Sequence, residues 1–226
     1  MERFRIILNI NQQLLQGWFV KAIPVNKAPL IIYYGGNAED ISINLSYLLQ
    51  AQAPSSSWLF INYRGFGNSS GKPSQSGLYE DALAIYDYLI LNSQIPLNMI
   101  FLMGRSIGSS IASYVASQRQ VAGLILVTPF DSIASFIPKI LKFSPFTSYF
   151  EKYFNTQKYL ENVGCKILVL AAEEDEIIPK VHLKNLANKF KNQLVIVEIK
   201  KANHQNIAEF SEYEIAVKKY INQLSA

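Results

Sequence analysis

The sequence predicts an α/β protein with a doubly wound, mostly parallel sheet. Two observations carry this. Short, nearly all-apolar runs recur along the chain, of the kind that lies buried on both faces of a parallel sheet, and segments with helical spacing of apolar residues alternate with them. A third sets the scale: 226 residues with 50% hydrophobic content are enough for one large core, and nothing in the sequence demands a second domain. A single domain over 1–226 is therefore expected.

Taken in order, Phe4–Asn9, Gly17–Ile23 and Leu30–Tyr34 read as strands, the first two separated by the polar turn Asn11-Gln12-Gln13 and forming an opening antiparallel hairpin. Gly35-Gly36-Asn37-Ala38-Glu39-Asp40 then leads into a helical pattern through Leu45, Leu48 and Leu49. Trp58–Asn62 reads as a strand. Leu78–Leu91 reads as a helix because Ala82, Ile85, Tyr86 and Leu89 recur at i, i+3, i+4 and i+7. Met99–Met103, Gly123–Val127, Lys166–Leu170 and Leu194–Ile199 are the buried strands. The last helix carries Tyr213, Ala216, Val217, Tyr220, Ile221 and Leu224 on one face. Between Pro129 and about Asn155 the rhythm breaks, and an insertion of that size is usually functional. Its aromatic and aliphatic residues, Phe136, Ile140 and Phe143 among them, suit a short helical cap over the strand ends at about 130–155, with those three side chains in contact with substrate. Packing of the insertion onto the body explains the same residues equally well.

Composition excludes several classes. The net charge of +4 is spread along the chain rather than gathered into a stripe, so nucleic acid is not an expected partner. No run of about 18 apolar residues and no signal-peptide pattern is seen, so a cytoplasmic protein is expected. One cysteine, Cys165, rules out an intrachain disulfide and reads as a buried structural thiol. No Cys/His spacing suits a metal, and no cofactor is expected. Interleaved lysines in the aromatic insertion leave open a peripheral contact with an anionic membrane surface.

The chemistry concentrates at Gly104-Arg105-Ser106-Ile107-Gly108, which lies between the apolar run Met99–Met103 and the small-residue stretch Ser109–Tyr114. A bare G-x-S-x-G is weak, but one between a strand and a helix describes a nucleophile elbow, with the serine on a strained turn and glycines where a Cβ would collide. Ser106 is the candidate nucleophile. A serine needs a base and a group to orient it. Of the two histidines, His204 follows the last strand, where the order Ser, Asp, His places the base, whereas His182 reads as a surface helix residue. For the acid, Asp175 in the loop Glu173-Glu174-Asp175-Glu176 precedes an apolar pair and a proline that would fix it. Asp131, one strand earlier, is the rival, or else an N-cap. The oxyanion donors would be the backbone N–H groups of Ile107 and Asn37. Arg105 could steer an anionic group or pair with a carboxylate, and Arg64-Gly65-Phe66-Gly67 reads as a structural turn rather than a phosphate loop.

The strand ending in a glycine loop, the segment Tyr63–Gly71, the elbow Gly104–Gly108, Asp175 and His204 together resemble the α/β-hydrolase superfamily over nearly the whole chain. Asn37-Ala38-Glu39-Asp40, Arg64-Gly65-Phe66-Gly67 and the Gly-Arg-Ser elbow resemble its prolyl-oligopeptidase-related, α/β-hydrolase-domain-containing branch, some members of which are acyl-protein thioesterases or lysophospholipases. The resemblance implies the α/β-hydrolase fold, with helices on both faces of the sheet and a cap. It also implies a serine hydrolase that cleaves carboxylic esters or thioesters of a small-molecule or acyl substrate through an acyl-enzyme. The chain departs at Gly35, where relatives often carry His, which leaves the anchoring of that loop unexplained. Two other readings compete. One is a serine peptidase, since the branch contains aminopeptidases. The other is a non-catalytic binding module, although such proteins usually lack a triad member.

Overall fold

The computed structural model describes residues 4–22, 28–37, 39–43, 55–93, 95–133 and 154–225. Their strands are β1 (Arg5–Ile10), β2 (Gln13–Val20), β3 (Leu30–Tyr34), β4 (Ser57–Ile61), β5 (Ile100–Arg105), β6 (Gly123–Val127), β7 (Ile167–Ala172) and β8 (Leu194–Ile199). They form one sheet in the order β1-β2-β4-β3-β5-β6-β7-β8. The pairs β1/β2 and β2/β4 are antiparallel and all others are parallel. The helices are α1 (Gln75–Ser93), α2 (Ile107–Gln118), α3 (Thr156–Leu160), α4 (Lys180–Lys189) and α5 (Ser211–Leu224).

The central strands are apolar throughout because both faces are covered. Alternate residues point to opposite sides. Leu30, Ile32, Ile100, Leu102, Leu124, Leu126, Ile167 and Val169 pack with Ala82 and Ile85 of α1, Ile111 of α2, Leu160 of α3 and Leu186 of α4. The intervening Ile31, Phe101, Met103, Ile125, Val127, Leu168 and Leu170 pack on the other side with Val217, Tyr220 and Ile221 of α5. Ile100, Phe101 and Leu102 are fully buried, and each such side chain contributes about 1.5–3 kcal/mol through removal from water.

Two of the boundaries that differ from the sequence expectation, and one burial pattern, have a clear physical cause. β2 starts at Gln13 rather than Gly17, because the hairpin turn needs only Asn11 and Gln12, both at positive φ (49° and 63°). Gln13 already pairs with Ile10, as a two-residue primed turn requires. α1 starts at Gln75 because the hydroxyl of Ser74 accepts a hydrogen bond from Gly77 N–H (3.2 Å), a cap that apolar periodicity does not register. β8 is not buried on both faces: Val195 and Ile196 are exposed, because β8 is an edge strand. The leucine pattern at 45–49 lies outside the described residues, although helical backbone begins at 41–43. Most of the expected cap, with Phe136, Ile140 and Phe143, also lies outside them. Among the described residues, no helix is long and apolar enough to cross a membrane.

The order β4-β3-β5 contains the topological switch point. After β3 the chain turns to one face, where Ile41 joins the α5 side, and after β5 it turns to the other, where Ile111 joins the α1 side. The loops after β3 and β5 therefore diverge and leave a crevice at the carboxyl ends of the strands, where open α/β sheets bind their ligands.

The turn after β4 is held from below. Arg64 donates two hydrogen bonds to Asp81 of α1, Nε to Oδ2 at 2.7 Å and Nη2 to Oδ1 at 2.6 Å, and both side chains are largely buried. Gly65 and Gly67 adopt positive φ, which fits the reading of this segment as a structural turn. Removing one member of a buried pair strands the other charge. Asp81→Ala is expected to lower the unfolding free energy by about 3 kcal/mol, measured by urea denaturation at neutral pH; a change under about 0.5 kcal/mol would contradict the assignment.

Candidate active site

Ser106 stands between β5 and α2 at φ 52° and ψ −117°, a conformation that L-residues rarely adopt. Two close backbone approaches and two hydrogen bonds impose it. A Cβ at Gly104 would lie 2.2 Å from Gly108 O, and one at Gly108 would lie 2.1 Å from Tyr34 O, so strand, helix and β3 meet as closely as backbone permits. Ser106 N–H donates to Val127 O of β6 (2.9 Å). The Ser109 hydroxyl donates back to Gly104 O (3.0 Å). The turn leaves Ser106 half-buried at the crevice, with Ile107 N–H at the start of α2, where no intrahelical partner exists.

Asp175 and His204 arrive from the ends of β7 and β8. His204 Nδ1 lies 3.0 Å and 3.1 Å from the two Asp175 oxygens, and both side chains are about 7% exposed. Asp175 is fixed by its own loop: Oδ1 accepts hydrogen bonds from Ile177 N–H (2.9 Å) and Ile178 N–H (2.7 Å). The loop of His204 is fixed likewise. Asn203 Oδ1 accepts from Gln205 and Asn206 N–H, Asn206 Oδ1 accepts from Asn203 N–H, and Glu174 N–H donates to Ala202 O across the two loops (2.8 Å). A carboxylate on Nδ1 leaves Nε2 as the ring nitrogen that takes up or delivers a proton.

The loop after β3 completes the crevice. Gly36 packs beside Ser106, a Cβ on it falling 3.6 Å from the serine Cβ. Gly36, Asn37, Glu39, Ile41, Asn62, Tyr63, Phe66, Leu78 and Ile107 line a small cleft there, so both expected oxyanion donors, Asn37 and Ile107, border one cavity. Gly36 N–H is itself bound by Glu39 Oε2. Tyr33 OH donates to Glu39 Oε1 (2.7 Å), and Tyr63 OH donates to Gly35 O (2.9 Å). Burial first, and then the charge of Glu39, push the phenols of Tyr33 and Tyr63 well above the usual range, so both remain donors. These contacts anchor the loop despite Gly35. Arg105 does not face an open anion site: its Nη1 lies 3.4 Å from Glu39 Oε1 and its Nη2 donates to His204 O (2.7 Å).

His182 is not a surface residue. It is 3% exposed, and its Nδ1 lies 2.7 Å from Asp131 Oδ1, while Asn185 Nδ2 donates to Asp131 Oδ2 (2.6 Å). Helical periodicity alone placed it outward; the partner 51 residues earlier in sequence makes its burial tolerable, since a polar group is buried only when paired. Asp131, the rival acid, is thereby engaged away from His204. Glu39 has no role in the sequence reading beyond its place in the loop Asn37–Asp40, and the glycine at position 35 is the signal that another residue must anchor that loop. Thr128, which follows β6 beside the elbow, also escaped notice. It holds positive φ (44°), and its buried hydroxyl has no hydrogen-bond partner among the described residues.

A family model described as serine aminopeptidase, S33, matches residues 49–157. Among curated proteins, the chain is 28% identical over 191 residues to the α/β hydrolase domain-containing protein WAV2 of Arabidopsis thaliana, covering 76% of this chain and 61% of that protein. It is 28% identical over 157 residues to protein bem46 of Schizosaccharomyces pombe, covering 67% and 52%. Est1E from Butyrivibrio proteoclasticus, solved with ferulic acid bound, superposes with a TM-score of 0.76 at 16% identity over 98% of this chain and 100% of that one. The chain has the α/β-hydrolase fold and is similar in sequence to proteins that carry an α/β-hydrolase domain. It spans only 52–61% of the length of these two curated relatives.

Within this α/β-hydrolase domain Cys165 stands apart from the crevice, immediately before β7 and so at the opposite edge of the sheet from Asp175. It is half-buried rather than fully buried, and desolvation pushes its thiol up to about 11. Because the thiolate is the reactive form, iodoacetamide at pH 8 is expected to alkylate Cys165 roughly tenfold or more slowly than free cysteine. Mass spectrometry of the intact protein reads this; alkylation as fast as that of free cysteine would contradict the burial described.

Proposed function

We propose that the protein is a serine hydrolase that cleaves carboxylic esters or thioesters through an acyl-enzyme. The observation that carries the reading is the His204–Asp175 pair at 3.0 Å, held at the same strand ends as a serine in a strained turn. In this reading Ser106 Oγ attacks the carbonyl carbon while His204 Nε2 takes its proton, and Asp175 keeps the imidazole in the tautomer that can accept it and balances the charge it gains. The carbonyl oxygen becomes an oxyanion facing the N–H groups of Ile107 and Asn37, each worth roughly 3 kcal/mol in the transition state. His204 then protonates the departing alcohol or thiol. Water, deprotonated by the same imidazole, attacks the acyl-Ser106 carbonyl and returns the free enzyme and the acid. No metal is called for, since backbone dipoles do the work of charge stabilisation.

The match to a serine aminopeptidase model favours a second reading, a peptidase using the same residues. Against it, the cleft beside Gly36 is lined mainly by apolar side chains and Asn, with Glu39 already engaged by Gly36, Tyr33 and Arg105, so among the described residues that line it no carboxylate stands ready for a substrate amine.

Turnover of a short p-nitrophenyl ester and covalent labelling by a fluorophosphonate are expected for the wild type. Ser106→Ala should abolish the labelling and lower kcat by at least about 10⁴-fold, and His204→Ala should do comparable damage. Labelling that survives in Ser106→Ala would overturn the assignment of the nucleophile. Faster release of an aminoacyl amide than of an ester with the same acyl group would favour the peptidase.

A further inference from the structure

We propose that Glu39 and Arg105 form a positioning pair that locks the oxyanion loop and the base loop to each other behind Ser106. The proposal rests on the reading of Ser106 as nucleophile and adds two residues that act through others.

The problem the pair answers is set by Gly35-Gly36. An oxyanion donor is effective only if it is already oriented when charge develops, whereas two adjacent glycines form the backbone that loses most freedom on ordering. No side chain at 35 or 36 can hold the loop. Glu39 does so from three residues away. One of its oxygens accepts Gly36 N–H, which takes that donor out of the crevice and leaves Asn37 N–H as the next one along the chain. The other accepts Tyr33 OH at 2.7 Å and faces Arg105 Nη1 at 3.4 Å. A Cβ at Gly36 would sit 3.2 Å from Glu39 Oε2, so the carboxylate would have to give by a few tenths of an ångström to keep this approach.

Arg105 extends the link to the other half of the site. Its Nη2 donates to the backbone carbonyl of His204 at 2.7 Å and lies 3.5 Å from Gln205 O. The guanidinium therefore spans from the carboxylate that holds Gly36 to the main chain that carries the base. Both side chains are mostly sequestered, Glu39 at 8% and Arg105 at 16% exposure, where solvent screening is weak and such contacts are strong. A fork suits this span: the two contacts use different nitrogens of the guanidinium, whereas all the donors of a lysine sit on one nitrogen, which cannot occupy both positions.

The test compares Glu39→Gln, Arg105→Met and their double variant in hydrolysis of a p-nitrophenyl ester, with kcat expressed per fluorophosphonate-titrated site so that any unfolded fraction drops out. Each single change is expected to lower kcat about 10- to 100-fold, with KM within about threefold, because the pair orders groups that act in the transition state. The double variant should fall no more than about threefold below the worse single one, since a link cut at either end is already lost. Arg105→Lys should resemble Arg105→Met, and it takes the place of that variant if the methionine protein does not fold. Single variants that retain kcat within threefold of wild type, losses that appear in KM alone, or losses that multiply in the double variant would each overturn the pairing. Failure of the underlying reading looks different: the wild type would then not be labelled, or Ser106→Ala would be.

Discussion

Everything at the crevice depends on how closely β5, α2 and β3 approach one another around Ser106. Gly104 faces the Gly108 carbonyl and Gly108 faces the Tyr34 carbonyl at distances that admit no Cβ. That contact forces Ser106 to φ 52° and presses the loop after β3 against the elbow, since that loop follows directly from Tyr34. Backbone strain of this kind costs on the order of 1–3 kcal/mol. The buried strands on either side offset it, because β5 is paired over Ile100–Gly104 with β3 and over Phe101–Arg105 with β6. A rigid sheet thus holds a turn that an isolated peptide would abandon.

The other groups are brought to the same place by topology rather than by sequence proximity. β7 and β8 run parallel to β5, so the loops that follow them emerge at the same edge. Asp175 and His204 come from those loops, 69 and 98 positions after Ser106 in the chain. Each loop is then fixed by its own side-chain-to-backbone hydrogen bonds: Asp175 on Ile177 and Ile178, Asn203 and Asn206 on one another's backbone. An imidazole held in this way would need little reordering to serve as the general base proposed above.

How much of this was legible beforehand follows from the range of each interaction. The elbow could be read from five consecutive residues because its constraint is local. A fixed loop at Asp175 could be read from the apolar pair and proline that follow it, and its Oδ1 accepts hydrogen bonds from Ile177 and Ile178 N–H. The sheet was legible because burial on both faces leaves an apolar run with no alternation, yet the same rule misjudged β8, whose edge position is a property of the whole sheet. His182 was misplaced because its partner, Asp131, is remote in sequence, and a helix face that looks half-polar becomes interior once such a partner arrives. Glu39 escaped for a related reason: its role is defined by the backbone of Gly36 and by the far side of β5, and neither leaves a periodic trace.

In the proposed mechanism the strained turn at Ser106 sets the nucleophile beside a base from the end of β8 and two backbone donors from the ends of β3 and β5. A crystal structure of the wild-type protein after reaction with a small fluorophosphonate tests it most directly, because the tetrahedral phosphorus stands in for the tetrahedral carbon of acyl transfer. The expected structure has phosphorus bonded to Ser106 Oγ, its non-ester oxygen about 2.7–3.1 Å from the N–H groups of both Ile107 and Asn37, and His204 still on Asp175. An adduct on another residue, or a phosphonyl oxygen turned away from those two donors, would contradict it.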